Sequence, residues 1–374
     1  MRIAYVCVDP GIPVFGTKGA SVHIQEVVRQ MRRRGHEVTV YAARRGTQVP
    51  ADLAGLELVE VPVPGTEPAE RERGQRLASE RIAELLRRTP PELVYERYSL
   101  FSTVLADAHE ALGVPGVLEV NAPLIDEQRE HRVLVDEDGA VRALQRQAGA
   151  AAATICVSDP VRDWVRSRTA TPRARTVANG VDVERILPQP EEPGVPVVLF
   201  VGTLKPWHGV SDLLSAAGRA EEPWRLRIVG DGPEREALER QAERLGLEVD
   251  FRGAVAPERM PEHLAGAAIG VAPYPRLGGS ERQYFSPMKV YEYLAAGLPV
   301  VASEVGQLPA ILGELGGLVP PSDPDALAAA IDALARDPER RARLGTAGRI
   351  LAERRHSWSG VVSEIFEAAG LAGG

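Results

Sequence analysis

One segment late in the chain combines a cation and a carboxylate at the start of a predicted helix. In the run 284–301, Pro287 fits the first turn of a helix and Lys289 follows two residues later. Lys289 then lies near the positive end of that helix, and the two positive features together match an anion such as a diphosphate. Glu292, one turn further on, can accept hydrogen bonds from the two hydroxyls of a ribose. The same spacing also fits a weak surface ion pair, and the residues alone leave both interpretations open.

A second candidate phosphate site follows an apolar run in the middle of the chain. Residues 197–201 predict a strand, and the loop after it contains Gly202, Lys205 and His208. This loop leads into a predicted helix, so Lys205 and His208 are placed to bind a phosphate. The alternative is an ordinary lysine in a solvated loop.

The first loop of the chain is rich in glycine. It covers residues 11–21, follows the first predicted strand and contains Gly16, Lys18 and Gly19. Glycines let backbone N–H groups approach an anion, which the N-terminus of a helix also favours. The loop lacks a Gly-x-Gly-x-x-Gly spacing, which counts against a nicotinamide cofactor, and a plain turn is the other interpretation.

Short β-branched runs alternate with helical stretches along almost the whole chain, which positions these loops between strands and helices. The alternation is typical of parallel strands linked by crossover helices, so the predicted fold class is α/β. The chain of 374 residues is too long for one ordinary core, and a Pro-rich stretch at 183–194 has the composition of an interdomain connection. We therefore predict two Rossmann-like domains, at 1–187 and 188–355, and a last helix within 356–374 that crosses back to the first domain. The strands are predicted at 3–8, 37–42, 93–96, 116–120, 154–157, 197–201, 225–229, 249–252, 269–272 and 299–302.

Composition and charge exclude several classes of protein. The formal net charge is −8, without the basic excess that is typical of nucleic-acid binders. No stretch approaches the roughly 20 apolar residues that span a bilayer, so we expect a cytoplasmic protein. Cys7 and Cys156 each lie in an apolar run and are expected to be buried rather than joined by a disulfide.

A basic patch near the start of the chain is the local exception. It includes Arg29, Arg32, Arg33 and Arg34, and Glu37 is the only acidic residue in the segment 29–45. Such a patch can make a weak peripheral contact with anionic lipid head groups, with each basic residue contributing about 1 kcal/mol. The alternative is a solvated helix end whose arginines complement the helix dipole.

Several motifs, taken in order along the chain, resemble the large family 4 glycosyltransferases. They are Gly-His-Glu-Val at 35–38, Val-Ala-Asn-Gly-Val-Asp at 177–182, the loop 202–209, Ile-Val-Gly-Asp-Gly-Pro at 228–233, Phe-Arg-Gly at 251–253 and the segment 286–299. The resemblance covers nearly the whole chain. It implies a GT-B fold, in which two doubly wound Rossmann-like domains face a central cleft, and retaining transfer from a nucleotide-diphosphate sugar.

The resemblance also implies where the nucleotide sugar binds on the second domain. The base is expected near Gly253 and Val255, and the ribose on Glu292. The diphosphate is expected among Gly202, Lys205, His208, Ser286, Pro287 and Lys289. Because Lys205, Lys289 and His208 can offset the charge of the diphosphate, and no Asp-x-Asp lies near a strand end, we expect no metal ion and no cofactor.

The first domain is expected to supply the acceptor contacts. Gly16 and Gly19 would approach the sugar or phosphate, and the acceptor-side candidates are Lys18, Arg97, Glu119 and Asn121. For Arg97 and Glu119 a structural ion pair is the alternative. The candidate catalytic residues are Lys205, Lys289 and Asn121.

The chain departs from the family pattern at several positions. Thr203 and His208 stand where family members typically carry Arg and Lys, and Lys205 lies between them. Tyr284 stands at the first of two paired glutamate positions, of which only Glu292 is present, and Asn121 stands where many relatives have His.

The expected function is therefore metal-independent, retaining transfer of a sugar to an acceptor that bears a hydroxyl. Small-molecule, lipid-linked and glycan acceptors all stay open, because such contacts vary within one fold. Two other hypotheses are an epimerase of the same fold that acts on the nucleotide sugar itself, and a non-catalytic protein that only binds it. Product analysis without acceptor tests the first, and retained donor hydrolysis would count against the second.

Overall fold

The computed structural model describes residues 1–277 and 283–371, which form two compact units. The first unit comprises Met1–Asn179 together with the chain from Trp358 onward, and the second comprises Gly180–Ser357. The second unit is therefore continuous in sequence, whereas the first is built from both ends of the chain.

The first unit is built on a seven-stranded parallel sheet. Its strands are β1 (Arg2–Cys7), β2 (Glu37–Ala42), β3 (Glu57–Glu60), β4 (Leu93–Arg97), β5 (Gly116–Val120), β6 (Ala153–Cys156) and β7 (Ala174–Thr176). Their spatial order is β3-β2-β1-β4-β5-β6-β7, and β4 and β5 are buried along their whole length. The strand order reverses between β1 and β4, and doubly wound folds bind ligands outside the carboxyl ends of the strands at such a reversal.

The second unit repeats the same plan with six parallel strands. They are β8 (Val197–Val201), β9 (Arg225–Val229), β10 (Val249–Gly253), β11 (Ile269–Ala272), β12 (Val300–Ser303) and β13 (Gly316–Val319). The order is β10-β9-β8-β11-β12-β13, so the reversal falls between β8 and β11. Both units thus have the strand order of a doubly wound fold, which confirms the predicted α/β class.

Helices connect the strands of both sheets. They are α1 (Gly19–Arg33), α2 (Pro68–Arg88), α3 (Val104–Leu112), α4 (Leu124–His131), α5 (Glu137–Ala150), α6 (Asp159–Thr169), α7 (Val210–Ala217), α8 (Arg235–Arg244), α9 (Met260–Leu264), α10 (Met288–Ala295), α11 (Leu308–Leu312), α12 (Pro324–Ala335), α13 (Pro338–Arg355) and α14 (Trp358–Ala368). Several begin at a carboxylate cap: the side chains of Asp136, Asp323 and Asp337 accept the backbone N–H three residues later. Within the described residues, none of the helices has both the length and the apolar composition needed to cross a membrane.

Cys7 and Cys156 are buried free thiols in β1 and β6. Burial raises the pKa of each thiol to about 12, so both behave as small apolar side chains. The prediction that they are buried and unpaired is confirmed.

Candidate functional site

Three loops of the second unit pack closely at the carboxyl end of its sheet. Gly202 follows β8 and Gly230 follows β9, and a Cβ at Gly230 would lie 1.8 Å from the carbonyl oxygen of Gly202. A Cβ at Gly209 would lie 1.7 Å from the carbonyl oxygen of Pro273, which follows β11. All three glycines have positive φ. Because only glycine permits these approaches, the loops form one compact rim at the reversal of strand order.

The Lys289 ammonium lies against this rim without a polar partner. Lys289 is the second residue of α10 and is 8% exposed, and its Nζ forms no hydrogen bond with any described residue. Nζ lies 4.1 Å from the ring centroid of Phe200 and 5.0 Å from that of Tyr274. Burial, opposed only in part by the nearby charge of Glu292, lowers the pKa of Lys289 to about 7. A buried ammonium with no counter-ion at the start of a helix is a place where an anion would be strongly stabilised.

The Lys289 ammonium also lies close to the loop that follows β8. A Cβ at Gly202 would lie 2.9 Å from Lys289 Nζ, so any larger residue at that position would displace the ammonium. The structure therefore brings together Gly202 and Lys289, two residues that are far apart in the sequence and that were both predicted to contact the diphosphate.

His208 is part of the same loop, and its predicted contribution of positive charge has to be corrected. Its Nδ1 donates a hydrogen bond to the carbonyl oxygen of Thr203. Burial, together with the nearby Lys289 ammonium, lowers the pKa of His208 to about 3. The ring is therefore neutral near pH 7, and it cannot help to offset the charge of a diphosphate in this state.

Lys205 and Trp207 lie together near the tip of this loop, where Lys205 is half-buried and Trp207 is exposed. Lys205 Nζ lies 4.5 Å from the centroid of the Trp207 ring, and Trp207 is 46% exposed. A cation on the face of an indole is held loosely and stays accessible. Lys205 therefore differs from Lys289, which is fixed by burial.

The residues predicted to hold the nucleotide base lie on a neighbouring strand of the same sheet edge. Gly253 ends β10 with φ +71°, and its carbonyl oxygen accepts a hydrogen bond of 2.8 Å from the backbone N–H of Gly230. Val255 follows in the next loop and is half-buried. The strand order puts β10 two positions from β8, so these residues lie to one side of Gly202 and Lys289.

The remaining predicted donor residues surround the start of α10. Pro287 is the N-cap of the helix rather than its first residue, and the hydroxyls of Ser286 and Tyr291 lie 3.3 Å apart. Glu292 is half-buried one turn after Lys289, and Tyr284 is half-buried in the stretch before the helix.

In the first unit, Glu119 is a buried carboxylate in β5. His23 Nε2 lies 2.8 Å from Glu119 Oε1, and the Tyr95 hydroxyl donates to the same oxygen at 2.8 Å. Burial raises the pKa of Glu119, but the nearby His23 and Arg97 lower it by a larger amount. The pKa of Glu119 therefore lies below the ordinary value. Its partners come from α1 and β4, which gives Glu119 a structural position among these elements.

Arg97 ends β4 directly beside Glu119 in the sheet register. It is 8% exposed, and its Nη1 is buried without a hydrogen-bond partner among residues 1–277 and 283–371. The two side chains form no ion pair with each other. The structural ion pair expected as the alternative is present for Glu119, which pairs with His23, and is absent for Arg97 among the described residues. Asn121, just after β5, likewise has its Oδ1 buried and without a partner in the part of the chain that the structure describes.

The glycine-rich loop of the first unit leads directly into α1. Gly19 is the first helical residue, and Lys18 is an exposed N-cap. The side-chain amide of Gln25 donates to the carbonyl oxygens of Val14 at 2.8 Å and Gly16 at 3.0 Å, which fixes the loop against its own helix. A Cβ at Gly16 would lie 2.8 Å from the Ser21 hydroxyl oxygen, so this position also requires glycine.

The basic patch near the start of the chain differs from its predicted form. Arg29 is buried, and its guanidinium bonds to Glu26 and Asp52. Arg34 donates 2.6 Å and 2.7 Å hydrogen bonds to the Ser359 carbonyl oxygen and the Ser363 hydroxyl of α14. Arg32 contacts the Asp52 carbonyl oxygen at 3.3 Å. Arg29 and Arg34 thus bond within the unit, whereas Arg32 and Arg33 are exposed, so the expected membrane contact stays a prediction that Arg29 is too buried to join.

Sequence reasoning missed the aromatic side chains that enclose Lys289. Tyr274 is the second residue after β11, in a Pro-Tyr-Pro run, and Phe200 is a buried residue of β8. Their positions in the sequence could have indicated them, because Phe200 lies in β8 and Tyr274 follows β11, and the strand order reverses between these two strands. In the described residues, no group of three or more His, Cys, Asp or Glu side chains is arranged to hold a metal ion.

Two family models match successive parts of the chain. Residues 17–185 match the model described as Glycosyltransferase Family 4, and residues 195–337 match the model described as Glycosyl transferases group 1. The two matches meet near the boundary between the two units.

Curated relatives are similar over part of their length. A phosphatidyl-myo-inositol mannosyltransferase of Mycobacterium leprae is 37% identical over 57% of this chain and 57% of its own length. A GDP-mannose-dependent alpha-(1-6)-phosphatidylinositol monomannoside mannosyltransferase of Mycolicibacterium smegmatis is 33% identical over 48% of this chain and 51% of its own length. The chain thus spans about half the length of these relatives.

Solved structures share the fold over almost the whole chain. A sucrose-phosphate synthase from Thermosynechococcus elongatus has a TM-score of 0.73 at 19% identity and covers 98% of both chains. HepE of Anabaena in complex with UDP-glucose has a TM-score of 0.72 at 19% identity and covers 99% of both. At this level of identity the likeness establishes the GT-B fold and nothing finer.

Proposed function

We propose, from the premise that the chain belongs to the family 4 glycosyltransferases, that it transfers a sugar from a nucleotide-diphosphate donor to a hydroxyl of an acceptor. The second unit binds the donor, and the first unit supplies the acceptor contacts. The transfer retains the anomeric configuration and needs no metal ion. Each part of the proposal has a separate physical support.

Lys289 is the observation that carries the donor site. Its ammonium is buried at the start of α10, with two aromatic faces around it and no anionic partner among the described residues. A diphosphate would supply the missing counter-charge, and Lys205 near the tip of the neighbouring loop would meet the same group from the solvent side. Glu292, one turn along α10, suits the ribose hydroxyls, and the loop after Gly253 suits the base.

The transfer needs no metal ion because groups of the protein stabilise the charge that develops on the leaving diphosphate. Lys205, Lys289 and the N-terminus of α10 stabilise that charge, and their effect is larger in a site from which water is excluded. His208 is outside this set, because its ring is neutral.

Retention is proposed because a front-face route requires no base from the protein. The bond between the anomeric carbon and the phosphate oxygen breaks as the acceptor oxygen bonds to the same face, and the departing phosphate oxygen takes the acceptor proton. Asn121 cannot act as a base and would orient the reacting groups through its amide. The pKa of Glu119 lies below the ordinary carboxyl value, which makes it a weak base for activating an acceptor.

The relatives indicate which substrates should be tried first. The curated proteins are named as mannosyltransferases that act on phosphatidylinositol lipids, one of them with GDP-mannose, and one solved structure contains UDP-glucose. We propose a similar pairing of a nucleotide sugar with a lipid-linked or small-molecule acceptor.

A donor screen followed by product analysis tests the proposal. GDP-mannose, UDP-glucose and related nucleotide sugars are screened by thermal shift, since a ligand at 100 times its dissociation constant stabilises the fold by about 2.7 kcal/mol. The first-formed product from the best donor is then examined by proton NMR, with and without EDTA. The expected result is a retained anomer formed equally well with EDTA. An inverted anomer, or activity that EDTA abolishes and magnesium restores, would refute the mechanism, and a sugar rearranged without acceptor would favour an epimerase.

A further inference from the structure

We infer that the first unit contains a binding site for an anionic group of the acceptor, a phosphate or a carboxylate, formed by Arg97 and Asn121. The inference rests on the proposed function and narrows it, because it selects acceptors that carry a negative charge near the reacting hydroxyl. It concerns the first unit alone and does not involve the diphosphate site of the second.

Arg97 has hydrogen-bonding capacity that its own unit does not use. The side chain is 8% exposed, yet Nη1 bonds to no described residue, and neither oxygen of the adjacent Glu119 accepts a hydrogen bond from it. Leaving a donor of a buried charged group unsatisfied is costly. The planar guanidinium presents its N–H groups as a fork that matches the two oxygens of a carboxylate or phosphate.

Glu119 lies beside Arg97 without bonding to it, and its Oε2 is buried with no hydrogen-bond partner among the described residues. Glu119 Oε1 is taken by His23 and by the Tyr95 hydroxyl, both at 2.8 Å. Glu119 therefore compensates the charge of Arg97 at a distance without occupying its donors. An incoming anion finds the charge partly balanced and the N–H groups free.

The position of Arg97 is that of a ligand contact. It is the last residue of β4, on the carboxyl edge where the strand order reverses between β1 and β4. His23 of α1 reaches Glu119, and Gly19 begins the helix four residues earlier, so the positive end of α1 lies about 6 Å further toward the same edge. The helix terminus therefore adds positive potential at the end of the sheet where Arg97 lies.

Asn121 supplies the complementary group for a hydroxyl. It lies two residues beyond Glu119, and its Oδ1 is buried without a partner among the described residues. The unpaired Asn121 oxygen can accept a hydrogen bond from a hydroxyl of the sugar acceptor. The Arg97 guanidinium can bind the anionic group of the same molecule. The two residues together select an acceptor that carries both.

The test measures binding of three small probes that share one carbon skeleton: glycerol 3-phosphate, glycerate and glycerol. Each is titrated calorimetrically into the full chain after GDP or UDP has been added in excess to occupy the donor site. We expect the two anions to bind and glycerol to bind at least tenfold more weakly. Equal binding of all three, or of none, would overturn the inference.

Variants then locate the site. Arg97→Lys keeps the charge and removes the fork, and we expect it to weaken anion binding about tenfold or more, as for loss of a charged hydrogen bond. Arg97→Gln should weaken it further; if this variant fails to fold because Glu119 loses its positive neighbour, Arg97→Lys still gives the answer. The matched control is Arg88→Gln, an exposed arginine at the end of α2. Anion binding that is unchanged in Arg97→Lys would refute the site.

A last pair of measurements distinguishes a lipid headgroup from a soluble anion. It also distinguishes failure of this inference from failure of the proposed function. Three competitors for transfer are compared: phosphatidylcholine vesicles, vesicles that also contain phosphatidylinositol, and soluble glycerol 3-phosphate. Arg97→Lys should raise the KM for whichever anionic acceptor is used, with nucleotide affinity unchanged. If nucleotide does not bind at all, the proposed function fails while the anion titrations still report on Arg97. If nucleotide binds normally and Arg97→Lys has no effect on KM, the inference alone fails.

Discussion

Each unit buries a basic side chain at the carboxyl edge of its sheet, but the two surroundings differ. In the first unit, Arg97 lies beside the Glu119 carboxylate, whose pKa is held below its usual range with the help of His23. In the second, Lys289 is enclosed by Phe200 and Tyr274, and burial lowers its pKa to about 7. Arg97 has a buried carboxylate directly beside it, whereas Lys289 has two aromatic faces around its ammonium and only the half-buried Glu292 as a nearby negative charge.

The difference separates a cation whose charge is balanced by a buried carboxylate of its own unit from a cation whose charge is not balanced in this way. A compensated cluster loses stability when one member is removed, because the other charges remain buried. An uncompensated ammonium already destabilises the fold, so its removal should be harmless to stability and harmful to ligand binding. Four experiments test this contrast, beginning with the largest expected effect.

Glu119→Gln should destabilise the chain by about 3–5 kcal/mol, the usual consequence of removing one partner of a buried ionic cluster. Arg97 would be left without its neighbouring negative charge. Urea unfolding followed by circular dichroism measures the change, with Glu110→Gln on the exposed end of α3 as the control. A loss below about 1 kcal/mol, the range of surface pairs, would remove the contrast between the two units.

Lys289→Met should lower turnover by on the order of a hundredfold, the usual effect of losing one group that stabilises developing charge. The loss should fall mainly on kcat, because the diphosphate gains charge as it leaves. Steady-state kinetics with the donor found in the screen measures it, and Arg240→Gln, an exposed cation of α8, serves as the control. An effect confined to KM would reduce Lys289 to a binding residue.

Glu292→Ala should weaken nucleotide binding by about 1.5–3 kcal/mol, as for loss of a charged hydrogen bond. Stability should change little, since Glu292 is only half-buried. Titration with the ribonucleotide and with its 2′-deoxy form tests whether the lost contact is to the ribose. The mutation should weaken binding of the deoxy form less than binding of the ribonucleotide. Equal losses for both nucleotides would place the ribose elsewhere.

The pH dependence gives the smallest effect per pH unit and the most specific one. The pKa of Lys289 is lowered to about 7 in the fold from 10.5, so between these values the unfolded chain holds a proton that the folded chain lacks. Stability contributed by this group therefore rises with pH across that window, with a slope of at most about 1.4 kcal/mol per unit. Diphosphate binding needs the protonated form, so nucleotide affinity should fall as pH rises above about 7.

Thermal unfolding and nucleotide titration across pH, compared between the wild type and Lys289→Met, test both signs. The variant should lose the part of each pH dependence that belongs to Lys289. An identical pH profile in the two proteins would mean that the ammonium does not titrate in this range.

The central strands of both sheets were predictable from the sequence, whereas three of the four edge strands were not. The central strands are continuous apolar runs such as 197–201, which is how a strand buried on both faces is recognised. The missed strands β3, β7 and β13 each lie at an edge, are three or four residues long and are partly exposed, so their sequences lack that signal. Pairing with a neighbour, not local preference, makes them strands.

The candidate site was predictable only as far as residue type and position allow. Lys289 and Gly202 could be assigned to one anion site because each follows a recognisable strand or opens a helix. The neutral ring of His208 and the burial of Arg29 could not, since both depend on neighbours that are distant in sequence: Lys289 for the first and Asp52 for the second. Long-range desolvation and pairing leave no local pattern to read.

The return of α14 to the first unit has a consequence for the order in which the protein is made. Trp358, Val362 and Ile365 of α14 are buried, and the Trp358 ring meets that of His23 edge-on with centroids 5.0 Å apart. These side chains are the last part of that core to be synthesised. During translation the second unit, which is continuous, can finish folding as soon as it emerges, whereas the first must wait with an open apolar groove until α14 has emerged. The unit that starts first is thus completed last, and chaperone demand should concentrate on its unfinished surface.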